Sequence, residues 1–374
     1  MTGPYDAFLL VSFGGPEGPE DVMPFLENVT RGRGIPRERL EAVSHHYLAL
    51  GGVSPINRQN RDFIDALRAT FDSRGIALPI YWGNRNWDPY LAPELARIHA
   101  DGHRRVLALA TSAYASYSGC RQYREDLARA LEISELPGAL AIDKVRHYFD
   151  HPGFIAPFVE GLASALDALA SDGFVAGATR VLFVTHSIPV AMAESAGPPD
   201  GRGTRGAYVE QHLAAIRCVV DGVRSTGREV PAWSLVYQSR SGSPHVPWLE
   251  PDINDALREA RSEGMEAAVV VPIGFVSDHV EVVWDLDREA RETCEELGVR
   301  IVRVATPGTH PAFVAGIVDL VAECLAGEPA AACSPFGPWP AVCAVGCCPN
   351  PRAELPTVAG EDSTFGALTG SVAG

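Results

Sequence analysis

A histidine and a row of carboxylates are the residues of this chain best suited to chemistry. His186 directly follows an apolar run in the text RVLFVTHSIP. Glu281, Asp285 and Glu289, the carboxylate row, recur at every fourth position after another apolar run and the triplet Ser-Asp-His. Imidazole and carboxylate groups bind borderline and hard divalent metals, and both accept protons. The pattern therefore predicts a site for a divalent cation, with carboxylates that can pass the ion along.

The four-residue spacing predicts that the carboxylate row shares one helix face, because residues four apart differ by only about 40° at 3.6 residues per turn. A solvated acidic face is the alternative, since Asp287, Glu292 and Glu295 add further acid nearby. His186 has its own alternative as a structural histidine bonded to backbone. Other chemistries lack their motifs: no HExxH indicates a zinc protease, and the turn FGGP carries neither GxGxxG nor a Walker lysine.

Short apolar runs alternate with amphipathic stretches of helical length. The runs, such as AFLLVSF and EAAVVVPIGF, are rich in Val, Ile and Leu on both faces, which is typical of strands buried in a parallel sheet. The stretches between them, such as INRQNRDFIDALRATFDSRG, place apolar residues on one helical face. The alternation predicts an α/β fold, in which ligands lie beyond the carboxyl ends of the strands.

The length of 374 residues favours two domains, and the pattern restarts near residue 150, where His151-Pro152-Gly153 interrupts the chain. We predict an N-terminal Rossmann-like domain over residues 1–151 and a second one, with the His/Glu site, over residues 152–327. Each is expected to hold a parallel sheet of about four strands flanked by helices. Residues 328–374 form an irregular tail that contains cysteines, and its last part, 351–374, is predicted to be disordered.

The composition excludes some classes of partner. The net charge is −16 and no basic stripe is present, which argues against nucleic acid and against anionic lipid surfaces. The N-terminus lacks the basic segment of a signal peptide, and no apolar run reaches the roughly 20 residues that span a bilayer. We therefore expect a cytoplasmic protein without stable membrane insertion. The oligomeric state stays open.

Longer stretches of the chain resemble the ferrochelatase family over most of residues 5–325. They are LLVSFGGPEGPEDVMPFLENV, HHYLALGGVSPIN, FVTHSIP, QSRSGSPHVPWLEPD and PIGFVSDHVEVVWDLD. The resemblance implies two Rossmann-like domains with a porphyrin in the cleft between them, and an enzyme that inserts Fe2+ into this porphyrin. It implies that His186 and Glu281 are the catalytic pair, beside the metal centre and in contact with Fe2+. Asp285 and Glu289 would form a metal path on a locally widened helix.

The same resemblance implies porphyrin contacts in the first half of the chain. Arg31, with Arg33 beside it, would pair with a peripheral carboxylate of the porphyrin, although a surface charge is an equal alternative for each arginine. Phe13 stands where some bacterial relatives have a tyrosine, and without an oxygen donor it can pack against the macrocycle but not ligate iron. The predicted porphyrin-binding residues are Phe13, Arg31, His46, Tyr47, Ser54 and Tyr123.

The resemblance is closest to actinobacterial members, judged by TRGRGIP, GNRNWDPY and the long tail with cysteines. It implies coproporphyrin III as the substrate and iron-coproporphyrin III (coproheme), on the route to haem b, as the product. Protoporphyrin IX is the alternative substrate. A non-catalytic porphyrin or haem carrier is the alternative from another class. A cobalt chelatase fits less well, because such enzymes often have a second histidine where this chain has Glu281.

Four of the eight cysteines crowd the tail, at Cys333, Cys343, Cys347 and Cys348. Clustered thiols in a cytosolic protein indicate a metal site, and both tetrahedral zinc and a 2Fe–2S cluster use four thiolates. Adjacent Cys347 and Cys348 would strain a single centre. Ferrochelatases with a cluster combine one internal cysteine with three near the C-terminus, which implies a 2Fe–2S cofactor held by Cys120, Cys333, Cys343 and Cys348, with Cys347 as the substitute. An oxidisable tail without metal is the alternative.

Overall fold

The computed structural model describes residues 4–32, 34–201, 203–240 and 245–365. Eight strands form two four-stranded sheets in which every neighbouring pair is parallel. The first sheet has the order β2-β1-β3-β4, with β1 Ala7–Ser12, β2 Ile80–Asn84, β3 Arg105–Ala110 and β4 Ala141–Lys144. The second has the order β6-β5-β7-β8, with β5 Thr179–His186, β6 Ala232–Gln238, β7 Ala267–Val271 and β8 Arg300–Arg303. The predicted pair of parallel α/β sheets is confirmed.

Helices join consecutive strands, as parallel pairing requires. In the first half they are α1 Val22–Val29, α2 Arg37–Ala49, α3 Ile56–Ser73, α4 Leu91–Ala100 and α5 Gln122–Ile133. In the second half they are α6 Pro152–Ser171, α7 Val190–Glu194, α8 Gly206–Ser225, α9 Ile253–Ser262, α10 Val280–Val282, α11 Ala290–Leu297 and α12 Pro311–Ala326. Two π-helical turns, Tyr117–Arg121 and Val283–Glu289, precede α5 and α11. Short 3-10 turns occupy Pro19–Asp21, Ala176–Ala178 and Pro199–Gly201.

The inner strands explain their own composition. Every residue of β1 and of β7 is buried, because helices cover both faces of each sheet. The edge strand β6 instead alternates between exposed and half-buried residues over its first four positions. An uninterrupted apolar run therefore marks a strand inside the sheet, which is the pattern the sequence showed.

The two halves share packed side chains. Phe63 of α3 stacks on Phe313 of α12, with ring centroids 5.4 Å apart. Tyr114, after β3, stacks on His212 of α8 at 3.6 Å, and its hydroxyl donates to the Ile273 carbonyl at 2.9 Å. These contacts hold the carboxyl ends of the two sheets close together. The division at residue 152, where α6 begins, remains a proposal.

Helix α6 meets the length and composition of a membrane-spanning segment. It is the one such helix in the described parts of the chain, with a mean hydropathy of 1.4, and half of it is buried in the structure. Phe154, Phe158 and Leu162 pack into the core. The apolar character of α6 is explained by these contacts, because core helices of globular proteins share this composition.

The prediction of disorder from residue 351 onward is wrong for the part that the structure describes. Thr357, Val358 and Ala359 are buried. The fully buried Arg124 of α5 donates its Nε to the Val358 carbonyl at 2.7 Å and pairs with Asp362. The Pro- and Gly-rich composition predicts disorder. Composition gives no sign that Arg124, in a distant helix, binds this segment and orders it. Residues 366–374 of that prediction lie outside the described residues.

Candidate active site

His186 and Glu281 meet because of the strand order. β5 lies between β6 and β7, so the chain leaves β5 in the direction opposite to that taken from β7. In parallel sheets, ligands bind at such a switch point, between the two loops. His186 is the last residue of β5, and the loop after β7 leads to Glu281. His186 Nε2 lies 3.6 Å from Glu281 Oε2, and the side chains are 33% and 44% exposed. The predicted convergence of these two residues is present.

The backbone around β5 fixes the histidine. His186 Nδ1 donates to the Ser187 carbonyl at 2.5 Å, which leaves Nε2 directed at Glu281. The Tyr208 hydroxyl donates to the His186 carbonyl at 2.8 Å. Gly274, in the loop after β7, donates its N–H to the Val184 carbonyl at 3.1 Å. A Cβ at Gly274 would lie only 2.1 Å from Thr185 Oγ1, so a glycine is required where this loop touches β5.

The two side chains stabilise each other's charge. Burial alone raises the pKa of Glu281, but the close approach and charge of His186 outweigh burial and lower the pKa to about 2. Burial alone lowers the pKa of His186, and the close approach and charge of Glu281 outweigh it, so the pKa of His186 rises. Without a ligand the pair therefore favours an imidazolium beside a carboxylate.

The carboxylate row lies along α10 and the π-helical turn that continues it, so the locally widened helix is present. Asp285 follows Glu281 in this row. Burial, and then the charges of Glu281 and Glu289, raise the pKa of Asp285 to about 7, against a hydrogen bond from Ser239. The last carboxylate, Glu289, accepts a hydrogen bond from Trp284 Nε1 at 2.7 Å.

Arg303, which no sequence motif indicates, holds residues 278–289 in place. Arg303 of β8 pairs with Asp278 at the start of the segment and with Asp287 Oδ2, at 2.6 Å, in its π-helical turn. The Asp278 N–H donates to Gln59 Oε1 of the first half at 2.8 Å. Arg303 stands in an ordinary strand text, VRIVRVAT, which gives no signal of this role. Ser239 lies in the text QSRSG, which resembles the family but does not indicate which of its residues contacts Asp285.

Helix α2 brings the first half to the site. The His46 ring stacks on Trp284, with centroids 4.2 Å apart and planes 5° from parallel. Tyr47 is buried, and burial together with the charge of Glu281 raises its pKa. Tyr47 also packs with Phe25 and Val280 in one apolar cluster. Two of the predicted porphyrin-binding residues, His46 and Tyr47, therefore lie beside the second-half site.

The other predicted porphyrin-binding residues lie further out. Phe13 is 37% exposed after β1, and Arg85 lies over both Phe13 and Tyr123, at 5.8 Å and 4.3 Å from the ring centroids. Ser54 and Tyr123 are buried, and Ser54 donates its N–H to the Pro16 carbonyl at 2.8 Å. Arg31 is exposed in the turn after α1. Arg33 lies outside the described residues.

The cysteines group differently from the prediction. Cys120 Sγ lies 3.6 Å from Cys343 Sγ, and Cys347 Sγ lies 3.8 Å from Cys348 Sγ. Cys120 also contacts Cys348, and Cys343 contacts Cys347, so these four buried residues form one thiol cluster. Cys333 instead donates its thiol to the Asp150 carbonyl at 2.9 Å.

Cys347 thus stands where the sequence analysis put Cys333, and adjacent cysteines do share the cluster because Cys348 takes a left-handed conformation, with φ 50°. Cys333 contacts Cys218 of α8 beside Asp150. Within the described residues, no group of three or more His, Cys, Asp or Glu side chains has the arrangement of a bound metal ion.

Buried cationic and polar side chains surround the thiol cluster. Lys144 and His147 are both buried, and they add to the hydrogen bonds from Cys120 and Cys347 that lower the pKa of Cys343. Arg124 Nη1 and both ring nitrogens of His147 have no hydrogen-bond partner of ordinary geometry in the described part of the chain. An unpaired buried donor such as Arg124 Nη1 is costly unless an acceptor or an anion faces it, and burial lowers the pKa of His147 to about 3, so its neutral ring adds one unpaired donor and one unpaired acceptor.

Comparisons with known proteins identify the family of this chain. Residues 5–325 match the family model described as ferrochelatase. The coproporphyrin III ferrochelatase of Streptomyces coelicolor is 55% identical over 372 residues, which cover 97% of this chain and 98% of that protein. A ferrochelatase of Rhodopirellula baltica is 49% identical over 348 residues, with 92% and 93% covered. Among solved structures, SirB from Bacillus subtilis with Fe3+ aligns with a TM-score of 0.48 at 10% identity, over 86% of this chain and 96% of that one.

The two parallel sheets, with an imidazole–carboxylate pair at the switch point of the second sheet, define an α/β protein with an acidic site at the carboxyl end of that sheet. The chain belongs to the ferrochelatase family.

Proposed function

We propose that this protein inserts Fe2+ into coproporphyrin III and yields iron-coproporphyrin III. The observation that carries the proposal is the half-exposed pair His186–Glu281, 3.6 Å apart at the switch point of the second sheet. The names of the relatives support the choice of porphyrin, since a coproporphyrin III ferrochelatase is 55% identical over nearly the whole chain.

The reaction needs a ligand for the incoming iron and acceptors for two pyrrole protons. Loss of the imidazolium proton to solvent would leave a neutral His186 and an ionised Glu281, and each of these can bind the cation or accept one proton and pass it to solvent. The lowered pKa keeps Glu281 ionised at neutral pH, so it attracts the cation and stabilises positive charge at the centre of the macrocycle. His186 is held by its Nδ1 hydrogen bond with Nε2 directed at that centre, and it binds iron once its Nε2 proton has left. We assign both residues to the catalytic site.

The carboxylate row supplies the route for the ion. Hard divalent cations prefer oxygen ligands, and each carboxylate of the row can take over a coordination position from the one before it. Asp285 and Glu289 follow Glu281 on one side of the widened helix. We therefore propose that iron enters past Glu289 and Asp285 and reaches the macrocycle at Glu281.

The porphyrin would lie against the first half of the chain. Phe13 presents an exposed ring beside Arg85, and Tyr47 approaches Glu281 from α2. We retain Phe13, Tyr47, Ser54, Tyr123 and Arg31 as proposed porphyrin contacts, with Arg31 placed to meet a peripheral carboxylate.

The test is anaerobic insertion of Fe2+ by the purified full chain, with coproporphyrin III and protoporphyrin IX compared at equal concentration. We expect turnover with coproporphyrin III and a lower kcat/KM with protoporphyrin IX. Faster turnover of protoporphyrin IX would replace the proposed substrate by the alternative one. Tight porphyrin binding without insertion would contradict the enzyme and favour a carrier.

We further propose that the thiol cluster holds a 2Fe–2S centre. The proposal is supported by the number and kind of donors, four buried thiols, and by two Sγ–Sγ separations, 3.6 Å and 3.8 Å, close to the roughly 3.8 Å between two thiolates on one tetrahedral iron with 2.3 Å iron–sulfur bonds. Four thiolates around such a centre carry net negative charge, which would face the buried Lys144 ammonium and the Nη1 of Arg124, the guanidinium nitrogen that its pairing with Asp362 leaves without a partner. When bound, the cluster would tie the tail to the first half and stabilise it.

Iron, acid-labile sulfide and visible absorbance of anaerobically purified protein test this second proposal. Cys347→Ser is expected to remove the absorbance, and the matched variant Cys333→Ser to retain it. The reverse result would restore the ligand set that the family resemblance implies, with Cys333 in place of Cys347. Zinc in place of iron and sulfide would identify the alternative metal for the same thiols.

A further inference from the structure

We propose that Trp284 is a positioning residue that holds Glu289, the outermost carboxylate of the metal path, and that His46 of the first half keeps Trp284 in place. The inference rests on the proposed function and adds to it a means by which contact between the two halves sets the entrance for iron.

The bond from Trp284 to Glu289 depends on the π-helical turn. In a regular α-helix, residues five apart point about 140° away from each other around the axis. A π-helix closes its backbone hydrogen bonds between positions i and i+5, so residues five apart lie one above the other. Trp284 and Glu289 are five apart within the turn Val283–Glu289, and Nε1 reaches Oε1 at 2.7 Å. The widened helix thereby gives the outer carboxylate a donor that an α-helix would place on another face.

The indole ring is itself held from the opposite half. The His46 ring of α2 lies parallel to it at 4.2 Å, and the Arg288 guanidinium lies 4.3 Å from its centroid. Arg288 belongs to the same helical segment, so among the ring contacts of Trp284 within the described residues the His46 stack is the one that connects the indole to the first half. A change in the distance between the halves would alter this stack first, and the orientation of Glu289 would follow.

This arrangement gives His46 a role other than the porphyrin contact expected from the sequence. If His46 acts through Trp284, its loss weakens the capture of iron and leaves the affinity for porphyrin unchanged. If His46 touches the macrocycle, the affinity for porphyrin falls. The two roles are therefore separated by which substrate shows the altered KM.

The experiment compares wild type with Trp284→Phe, which keeps an aromatic ring for His46 but loses the N–H. Anaerobic insertion is measured with Fe2+ varied at saturating porphyrin, and then with porphyrin varied at saturating Fe2+. We expect KM for Fe2+ to rise roughly tenfold, as for the loss of one hydrogen bond to a charged acceptor, with KM for porphyrin unchanged. Trp233→Phe, on the edge strand β6, is the matched control and is expected to behave as wild type.

A double-mutant cycle with Glu289→Gln separates positioning from simple packing. If Trp284 acts through Glu289, the second substitution adds little in the Trp284→Phe background. Full additivity of the two effects, or a KM change confined to the porphyrin, would overturn the inference. His46→Ala is expected to raise KM for Fe2+ only.

A failure of the proposed function is recognised separately. If the wild type inserts no iron, anaerobic calorimetry with Fe2+ alone still tests the arrangement in the absence of porphyrin. Weaker Fe2+ binding by Trp284→Phe than by wild type supports the positioning role, and equal binding refutes it.

Discussion

Replacing Gly274 by alanine should disable the site without touching a reacting group. The added Cβ would lie 2.1 Å from Thr185 Oγ1 and 2.6 Å from Thr185 Cβ, where ordinary contacts begin near 3.4 Å. Thr185 is buried in β5 and its hydroxyl lies 2.9 Å from that of Tyr208, so it cannot turn away freely. The loop after β7 must therefore retreat by about 1 Å, and it carries Glu281 away from His186.

The size of the effect follows from this displacement. A misplacement of about 1 Å costs roughly 100-fold in rate when the reacting groups must meet in one geometry. The overpacking itself costs about 2 kcal/mol of unfolding free energy. The two consequences are measured by kcat for iron insertion and by the midpoint of urea unfolding, with kcat expressed per folded molecule by circular dichroism.

Gly177→Ala is the matched control, because a Cβ there has no atom within 4 Å and its backbone is not left-handed. It is expected to retain wild-type turnover and stability. Wild-type turnover of Gly274→Ala would refute the reasoning, since it would mean that the separation of His186 and Glu281 does not depend on the contact between these two loops.

Two further predictions concern the site and the tail. His186→Ala should abolish iron insertion but leave most of the porphyrin affinity, as measured by fluorescence quenching. The control His310→Ala, which removes the surface pair with Glu160, should retain activity. Near-normal turnover of His186→Ala would remove His186 from the mechanism. Asp362→Asn should release the tail, because Arg124 then keeps its charge buried without a carboxylate, and the docking free energy should fall by about 3 kcal/mol. Burial alone raises the pKa of Asp362, but Arg124 and Arg121 lower it overall; the stabilisation is therefore present above the ordinary pKa and lost as the pH falls through the lowered one. Proteolysis of the tail should accelerate below pH 4 in wild type and at all pH values in the variant, and equal protection of both at pH 7 would contradict the docking role.

The fold could be predicted because strands covered on both faces leave an unmistakable pattern. The runs AFLLVS and AAVVV became the inner strands β1 and β7, with every residue buried. The proximity of His186 and Glu281 could also be predicted, because both residues follow such strands and the functional loops of a parallel sheet lie at the same edge.

What the sequence could not give are contacts between distant segments. The stack of His46 on Trp284 joins residues that are 238 positions apart in the chain, and neither residue signals the other. The family pattern of one internal and three C-terminal cysteines implies Cys333 as a ligand, whereas in the structure its thiol donates to the Asp150 carbonyl. The composition of the tail predicts disorder, although Arg124 of α5 binds the tail and orders it.

The burial of Arg124 beneath residues 357–362 has a consequence for biosynthesis. The first sheet can fold while the ribosome is still making the second half, because domains generally fold from the N-terminus during synthesis. Arg124 is then exposed to water on the surface of the nascent chain until the last segment has been synthesised and covers it. A premature stop codon before residue 357 would leave the surface around Arg124 permanently exposed. Quality-control proteases could then recognise this exposed surface although both sheets of the protein are complete.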